Sequence, residues 1–262
     1  MKKELLFELI EEHDLKAIRL GTEHREMSFD EIGYIKDFVS GMLPIYINIG
    51  GVNARNDINN LLKMGIRGFT SPMVESAYGL VNFIHTLKEL TGDTYFFIKK
   101  GITIETITAY HNLGNIIQTP VFKELDQLTL DRSDFSRSIE RDADDPTVYS
   151  MMSVMASRLR RTGKIITVGG NIHPINSIEI TRRIGPDRID TGICIIGAKN
   201  IENIWTGVKK CLVLEKDLYS KMKTVFSYRE GFIETLIQKI EHSLNQIPEK
   251  ITIEKAGDKV II

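Results

Sequence analysis

Glu105 lies in the stretch GITIETITAY (101–110), whose isoleucines and threonines predict a buried β-strand. An ionised carboxylate among β-branched apolar residues is costly unless something compensates its charge. Spacing alone leaves two compensations open. One is an ion pair with Lys99, Lys100 or Arg132; the other is a bound cation. Asp134, in LDRSDFSRS after the next predicted strand, is a second carboxylate placed to converge on Glu105, although an Asp there also commonly caps the turn that follows. Strand parity puts Lys99, Thr103 and Glu105 on one face, and Arg132 with Asp134 on another shared face. Two carboxylates from neighbouring strands, with room for water, suit Mg²⁺ or Mn²⁺. Zinc fits less well, because the strand ends offer one histidine and no cysteine outside the seventh strand.

The remaining strand ends are also polar. Glu23 and His24 follow the first strand, Asn48 ends the second, and Glu75 and Ser76 follow the third. Gly169, Gly170 and Asn171 close the sixth, and Asp190 lies in the seventh. These residues form one pocket only if the strands are parallel and closed into a barrel, where such groups gather at the carboxyl ends.

The elements argue for that arrangement. Strand patterns at 16–21, 44–50, 67–73, 94–107, 127–132, 164–170 and 188–196 alternate with amphipathic helical patterns. Ser28 with Glu31 makes a capping box, and Gly65 suits a helix end. Asp145-Pro146 opens another helix, and Gly185-Pro186 stops the one before the seventh strand. Seven alternations in 262 residues predict an α/β fold, a (β/α)₈ TIM barrel over residues 1–214; they leave the eighth strand open, with TGVKKCLVLE (206–215) a candidate for it. An open doubly wound sheet is the competing architecture, but no GxGxxG follows the first strand. Residues 215–262 read as an appendage of the same domain, a long helix and then a hairpin turning around Ala256-Gly257-Asp258.

Composition narrows the function classes. With 34 basic and 35 acidic residues there is no charge excess to bind nucleic acid, and no run of about 18 apolar residues predicts a membrane span. Glu4, Glu8, Glu11 and Glu12 interrupt the N-terminal apolar segment, which makes it a poor signal peptide. Cys194 and Cys211 form no metal motif and read as two reduced thiols. A cytoplasmic protein is expected. His13, His85, His111 and His242 receive no chemical role, and DADD (142–145) reads as a solvated helix N-terminus.

In order along the chain, INIGGVNARNDINNLLKMGIRGFTSPMVES (47–76), ITIETITAY, LDRSDFSRS and VGGNI (168–172) resemble segments of the HpcH/HpaI aldolase and citrate lyase β-subunit superfamily. The resemblance runs from about residue 16 to 196 and lies toward a little-characterised aldolase/citrate-lyase-like branch. It implies a (β/α)₈ barrel that makes or breaks C–C bonds beside a keto acid or thioester, with Mg²⁺ or Mn²⁺ held by Glu105 and Asp134. It also implies that Glu23-His24 matches an acid–histidine pair whose imidazole moves a proton.

The expected function is therefore a metal-dependent carbon–carbon lyase acting on a small oxo-acid, phosphorylated and sugar-derived ones included. His24 is the expected acid/base and Arg132 orients an anionic group, while Glu23, Asn48, Glu75, Lys99, Gly169 and Gly170 line the substrate site. Homo-oligomers through the C-terminal helices are expected, as in the family. The chain also departs from its relatives. Asn48 stands where the aldolase branch has arginine, and Arg137 stands where a small residue is usual. Those departures favour a second reading, a catalytically degenerate barrel serving as a ligand-binding or assembly subunit.

Overall fold

The computed structural model describes residues 3–23, 25–245, 252–255 and 258–261. Eight strands close into one barrel in sequence order: β1 (Leu15–Gly21), β2 (Ile45–Asn48), β3 (Gly68–Ser71), β4 (Lys99–Ile104), β5 (Gln127–Asp131), β6 (Ile165–Gly169), β7 (Arg188–Asp190) and β8 (Cys194–Gly197). Helix α1 (Lys3–Glu12) precedes the barrel. Outside it stand α2 (Phe29–Val39), α3 (Arg55–Lys63), α4 (Ala77–Thr91), α5 (Ile107–Gln118), α6 (Arg132–Ser138), α7 (Pro146–Arg160) and α8 (Pro174–Arg183). Two long helices, α9 (Ile201–Val225) and α10 (Glu230–Asn245), follow, and then a hairpin of β9 (Thr252–Lys255) and β10 (Asp258–Ile261). Its turn residues, Ala256 and Gly257, lie outside the described residues.

The predicted caps form. Ser28 and Glu31 exchange both hydrogen bonds of a capping box at α2, and Asp145 caps α7 ahead of Pro146. The fourth strand is shorter than its apolar pattern suggests, because residues 92–97 make a 3₁₀ helix that leaves Phe96 and Phe97 in solvent.

The barrel closes differently from the sequence expectation. Strands β1 to β7 are parallel, but the stretch 188–196 breaks at Thr191–Ile193 into a hairpin, so β8 runs antiparallel to both β7 and β1. TGVKKCLVLE is not a strand; it lies within α9. Glu215 of α9 explains the break. This buried carboxylate accepts from the Ile193 and Cys194 backbone N–H groups at 2.9 and 3.0 Å and from the Thr191 hydroxyl, so it holds the turn that a single strand would leave unsatisfied. Gly192 is required there: its φ is +137°, and a Cβ would lie 2.5 Å from an Arg25 nitrogen. Helix α9 therefore runs through the boundary placed at 214/215. Because β8 points downward, α9 climbs from the barrel's amino end, where Gly197 meets Asp14, to its carboxyl end, where Tyr219 accepts from Arg25. Beyond it, Arg229 donates to the Arg25 carbonyl at 2.8 Å and pairs with Glu31 at 3.1 Å, tying the tail to the β1–α2 loop.

The apolar core is the layer between strands and helices, built by Ile18, Leu20, Ile47, Phe69, Ile102, Leu128, Val168 and their helix partners. Alternation sends the other strand residues inside the barrel. There only Ala17, Tyr46 and Ile195 form an apolar cluster, separate from the main core. The interior otherwise holds Arg19, Asn48, Thr70, Thr103, Thr129, Thr167, Arg188 and Asp190, joined in register from strand to strand. Barrel interiors are ordinarily filled by branched apolar residues.

Candidate active site

At the carboxyl ends of β4 and β5, Glu105, Asp131 and Asp134 each place a carboxylate oxygen so that all three lie within 4.8 Å of one another. Glu105 is only 5% exposed and accepts from the Met73 N–H at 2.6 Å. Burial pushes its pKa up to about 8. The charges of Asp131 and Asp134 push the same way, against the Met73 hydrogen bond and Arg19. Asp131 caps α6, taking the Ser133 and Asp134 N–H groups at 2.9 and 3.3 Å, and its other oxygen lies 3.9 Å from Arg19. Asp134 is partly exposed and receives Arg137 at 2.6 Å. Across the mouth, Asp190 is buried and paired with Arg19 Nε at 2.5 Å; burial raises its pKa to about 6 although Arg19 and Arg25 pull it down.

Three carboxylates on one point are an oxygen-rich donor set for a hard divalent cation. The residues present fit Mg²⁺ or Mn²⁺. A second acidic group, Glu8, Glu12 and His13, sits at the barrel's other end, where Lys210 already neutralises Glu8. A cavity of about 470 Å³ also opens at that end, beside Pro44, Tyr46, Gly68 and Lys99, but no acid cluster lines it. The acid cluster that could hold a divalent cation is the one at the carboxyl end.

The sequence matches no family model and no curated protein. Solved structures do match. A HpcH/HpaI aldolase/citrate lyase family protein from Burkholderia cenocepacia J2315 is 14% identical, with a TM-score of 0.55 over 71% of this chain and 91% of its own. A HpcH/HpaI aldolase from Desulfitobacterium hafniense DCB-2 is 16% identical, with a TM-score of 0.56 over 69% and 78%. The citrate synthase SbnG is 14% identical, with a TM-score of 0.54 over 80% and 96%. The chain has the HpcH/HpaI barrel fold.

Within that HpcH/HpaI barrel, the structure brings together Glu105 and Asp134, with Gly169 beside them: a Cβ at Gly169 would sit 3.6 Å from both Asp131 Oδ2 and Asp190 Cβ. Gly170 serves the backbone instead. Its φ is +82°, and a Cβ would stand 2.4 Å from Asp131 Oδ1, so a side chain there would displace the α6 cap. Asn48 points into the barrel beside Gly21, its oxygen buried with no protein donor.

Other expectations need correction. Arg132 is not at the mouth. Asp131 ends β5, so Arg132 and Asp134 belong to a helix, and strand parity does not relate them. Its fully buried guanidinium is committed to the Ala143 carbonyl at 2.6 Å, to Asp144, and to the Tyr149 ring at 5.0 Å. Lys99 shares Glu105's parity but not its height, since six residues of strand span about 20 Å. It starts β4 at the amino end and pairs with Asp126 at 3.2 Å. Glu75 binds the α5 cap, Thr106, and so joins the β3–α4 and β4–α5 loops. Glu23 lies in the β1–α2 loop, where its carbonyl accepts from the Glu26 N–H; His24 lies outside the described residues.

Asp131 was missed by the sequence reading. Interior parity with Thr129 and Gln127 on β5 is the signal that finds it. Arg19 was missed too, because one arginine in KAIRLG reads as an exposed strand position.

Proposed function

We propose that this chain is a divalent-metal-dependent carbon–carbon lyase of aldolase type acting on a small oxo-acid. The observation that supports it is the convergence of Glu105, Asp131 and Asp134 within 4.8 Å at the barrel's carboxyl end, with Glu105 desolvated. Mg²⁺ or Mn²⁺ would be held by Glu105 and Asp134, with Asp131 beside them. When bound, such an ion supplies Lewis acidity to a keto acid's carbonyl and carboxylate oxygens. Met73, at φ +52°, covers Glu105 and keeps one of its oxygens hydrogen-bonded, so the other is the one turned to a ligand. His24, which follows β1 in sequence, is the proposed acid/base, since an unperturbed imidazole titrates near about 6.5 and suits transfer in either direction.

Calorimetry with Mn²⁺ tests the site. Wild type should bind one equivalent, and Glu105→Gln and Asp134→Asn should each weaken binding by at least about tenfold. Absence of Mn²⁺ binding by the wild type would overturn the reading. The Arg137–Asp134 ion pair favours a second one, a degenerate barrel whose own cation occupies the site. In that case Arg137→Ala would create Mn²⁺ binding that the wild type lacks. Assembly through the C-terminal helices is part of the proposal, supported by the exposed Val225 and Tyr228 at the α9–α10 turn. Sedimentation of the full chain as a monomer would remove it. The proposed partner is a small-molecule oxo-acid substrate; among the described residues no helix is long and apolar enough to cross a membrane.

A further inference from the structure

The proposed substrate is an anion, yet the mouth is acidic and the position that carries arginine in the aldolase branch is Asn48. A carboxylate needs a cationic receptor there. Arg132 and Lys99 are tied to Asp144 and Asp126 away from the mouth, and Arg25 is held by Tyr219. Arg137, on Asp134, is mostly exposed.

Arg19 is different. It rises from β1 into the barrel interior, and its Nε takes Asp190 at 2.5 Å. That contact leaves the guanidinium fork directed at the acid cluster. Nη2 lies 3.9 Å from Asp131 Oδ2, and buried Nη1 has no protein acceptor. A buried guanidinium N–H without an acceptor costs stability unless something else receives it. The Gly192 N–H donates to Asp190 Oδ1 at 2.8 Å, whereas Oδ2 faces Arg19 Nε as a close ion pair and has no hydrogen-bond donor. Gly169 keeps the near side open: a Cβ would stand 3.7 Å from Nη2, and a full side chain would cover the fork.

We infer that Arg19 is the substrate-carboxylate receptor of this site, taking over from β1 the role that Asn48 cannot fill from β2. Asp190 is its positioning residue, pairing with the guanidinium on its Nε side so that Nη2 stays turned to the acid cluster. The inference rests on the oxo-acid reading above. It goes further by assigning the anion to a strand and a side chain.

The test is calorimetry with oxalate, an unreactive dicarboxylate, in the presence and absence of Mn²⁺. The variants are Arg19→Lys, which keeps the charge and the reach to Asp190 but removes the fork, and the charge-balanced double variant Arg19→Gln/Asp190→Asn. Thermal melting confirms that each is folded. Oxalate affinity is expected to fall about tenfold in Arg19→Lys and about a hundredfold in the double variant, with Mn²⁺ affinity of the lysine variant within about threefold of wild type. Equal oxalate affinity in wild type and both variants overturns the assignment, as does a wild type that binds no oxalate in either condition. If wild type takes up no Mn²⁺, the metal reading fails by itself. The metal-free oxalate series then still decides the role of Arg19.

Discussion

Two acid-bearing clusters lie close together in the chain, and they are built on opposite terms. Asp144, between α6 and α7, is surrounded by partners: the Arg132 guanidinium, the Tyr149 hydroxyl at 2.9 Å, the Asn176 amide at 3.1 Å and His173 at 3.6 Å. Burial alone would raise its pKa. His173, Arg132, Tyr149 and Asn176 outweigh burial and hold it well below the usual carboxylate range. Glu105 sits among acids, and burial together with Asp131 drives it up to about 8. One cluster is complete within the chain, while the other is short of positive charge. Saturated polar networks specify structure, whereas a buried acid whose neighbours Asp131 and Asp134 hold the nearby arginines fits a site that receives a cation.

The largest effect should come from breaking the complete cluster. Arg132→Met leaves the Ala143 carbonyl without its buried donor and the partly exposed Asp144 without its cation, and denaturant unfolding should report a loss of about 3 kcal/mol. A loss below about 1 kcal/mol would erase the contrast. At the incomplete cluster the sign reverses. A carboxyl whose folded pKa is raised contributes stability that is full below its unfolded value and lost as pH rises through the folded one. Metal-free Glu105→Gln should therefore be more stable than wild type above about pH 8, by about 2 kcal/mol, with the gap closing toward pH 4.5. Melting curves across that range check it, and a variant less stable than wild type at pH 9 would mean that ionised Glu105 already has its partner. The smallest effect concerns Asp144 in acid. Its depressed pKa contributes stability that is present above the unfolded value and disappears as pH falls, so Asp144→Asn should flatten the acid limb of stability by about 1 kcal/mol. An unchanged acid limb would mean that the hydrogen bonds, not the charge, hold this cluster.

What was legible in the sequence follows from the range of the forces involved. Strands β1 to β6, the α2 capping box and the Asp145-Pro146 helix start are local, and they fall where alternation and capping place them. Glu105 and Asp134 could be named because a carboxylate in an apolar strand, or just after one, is conspicuous in any register. Arg132 was misjudged because β5 ends one residue earlier than its hydrophobic pattern, and a side chain that changes from strand to helix changes the direction it faces. The reversal at Gly192 depends on Glu215, which is 22 residues from the amide of Ile193 that it accepts, and no local pattern carries that information. Arg19 was invisible for the same reason: its value lies in Asp190 and Gly169, and both reach it only once the barrel is closed.

That reversal also changes who stands at the entrance. A barrel closed by eight parallel strands sends its last helix down, away from the mouth. Here the inverted strand sends it up, and Arg229 lies one hydrogen bond from the carbonyl of Arg25, a residue 204 positions earlier in the chain. The final helices are thus a doorpost. A tether, a binding partner or a truncation applied near residues 219–229 acts on the threshold of the pocket, however remote those residues look in the linear order.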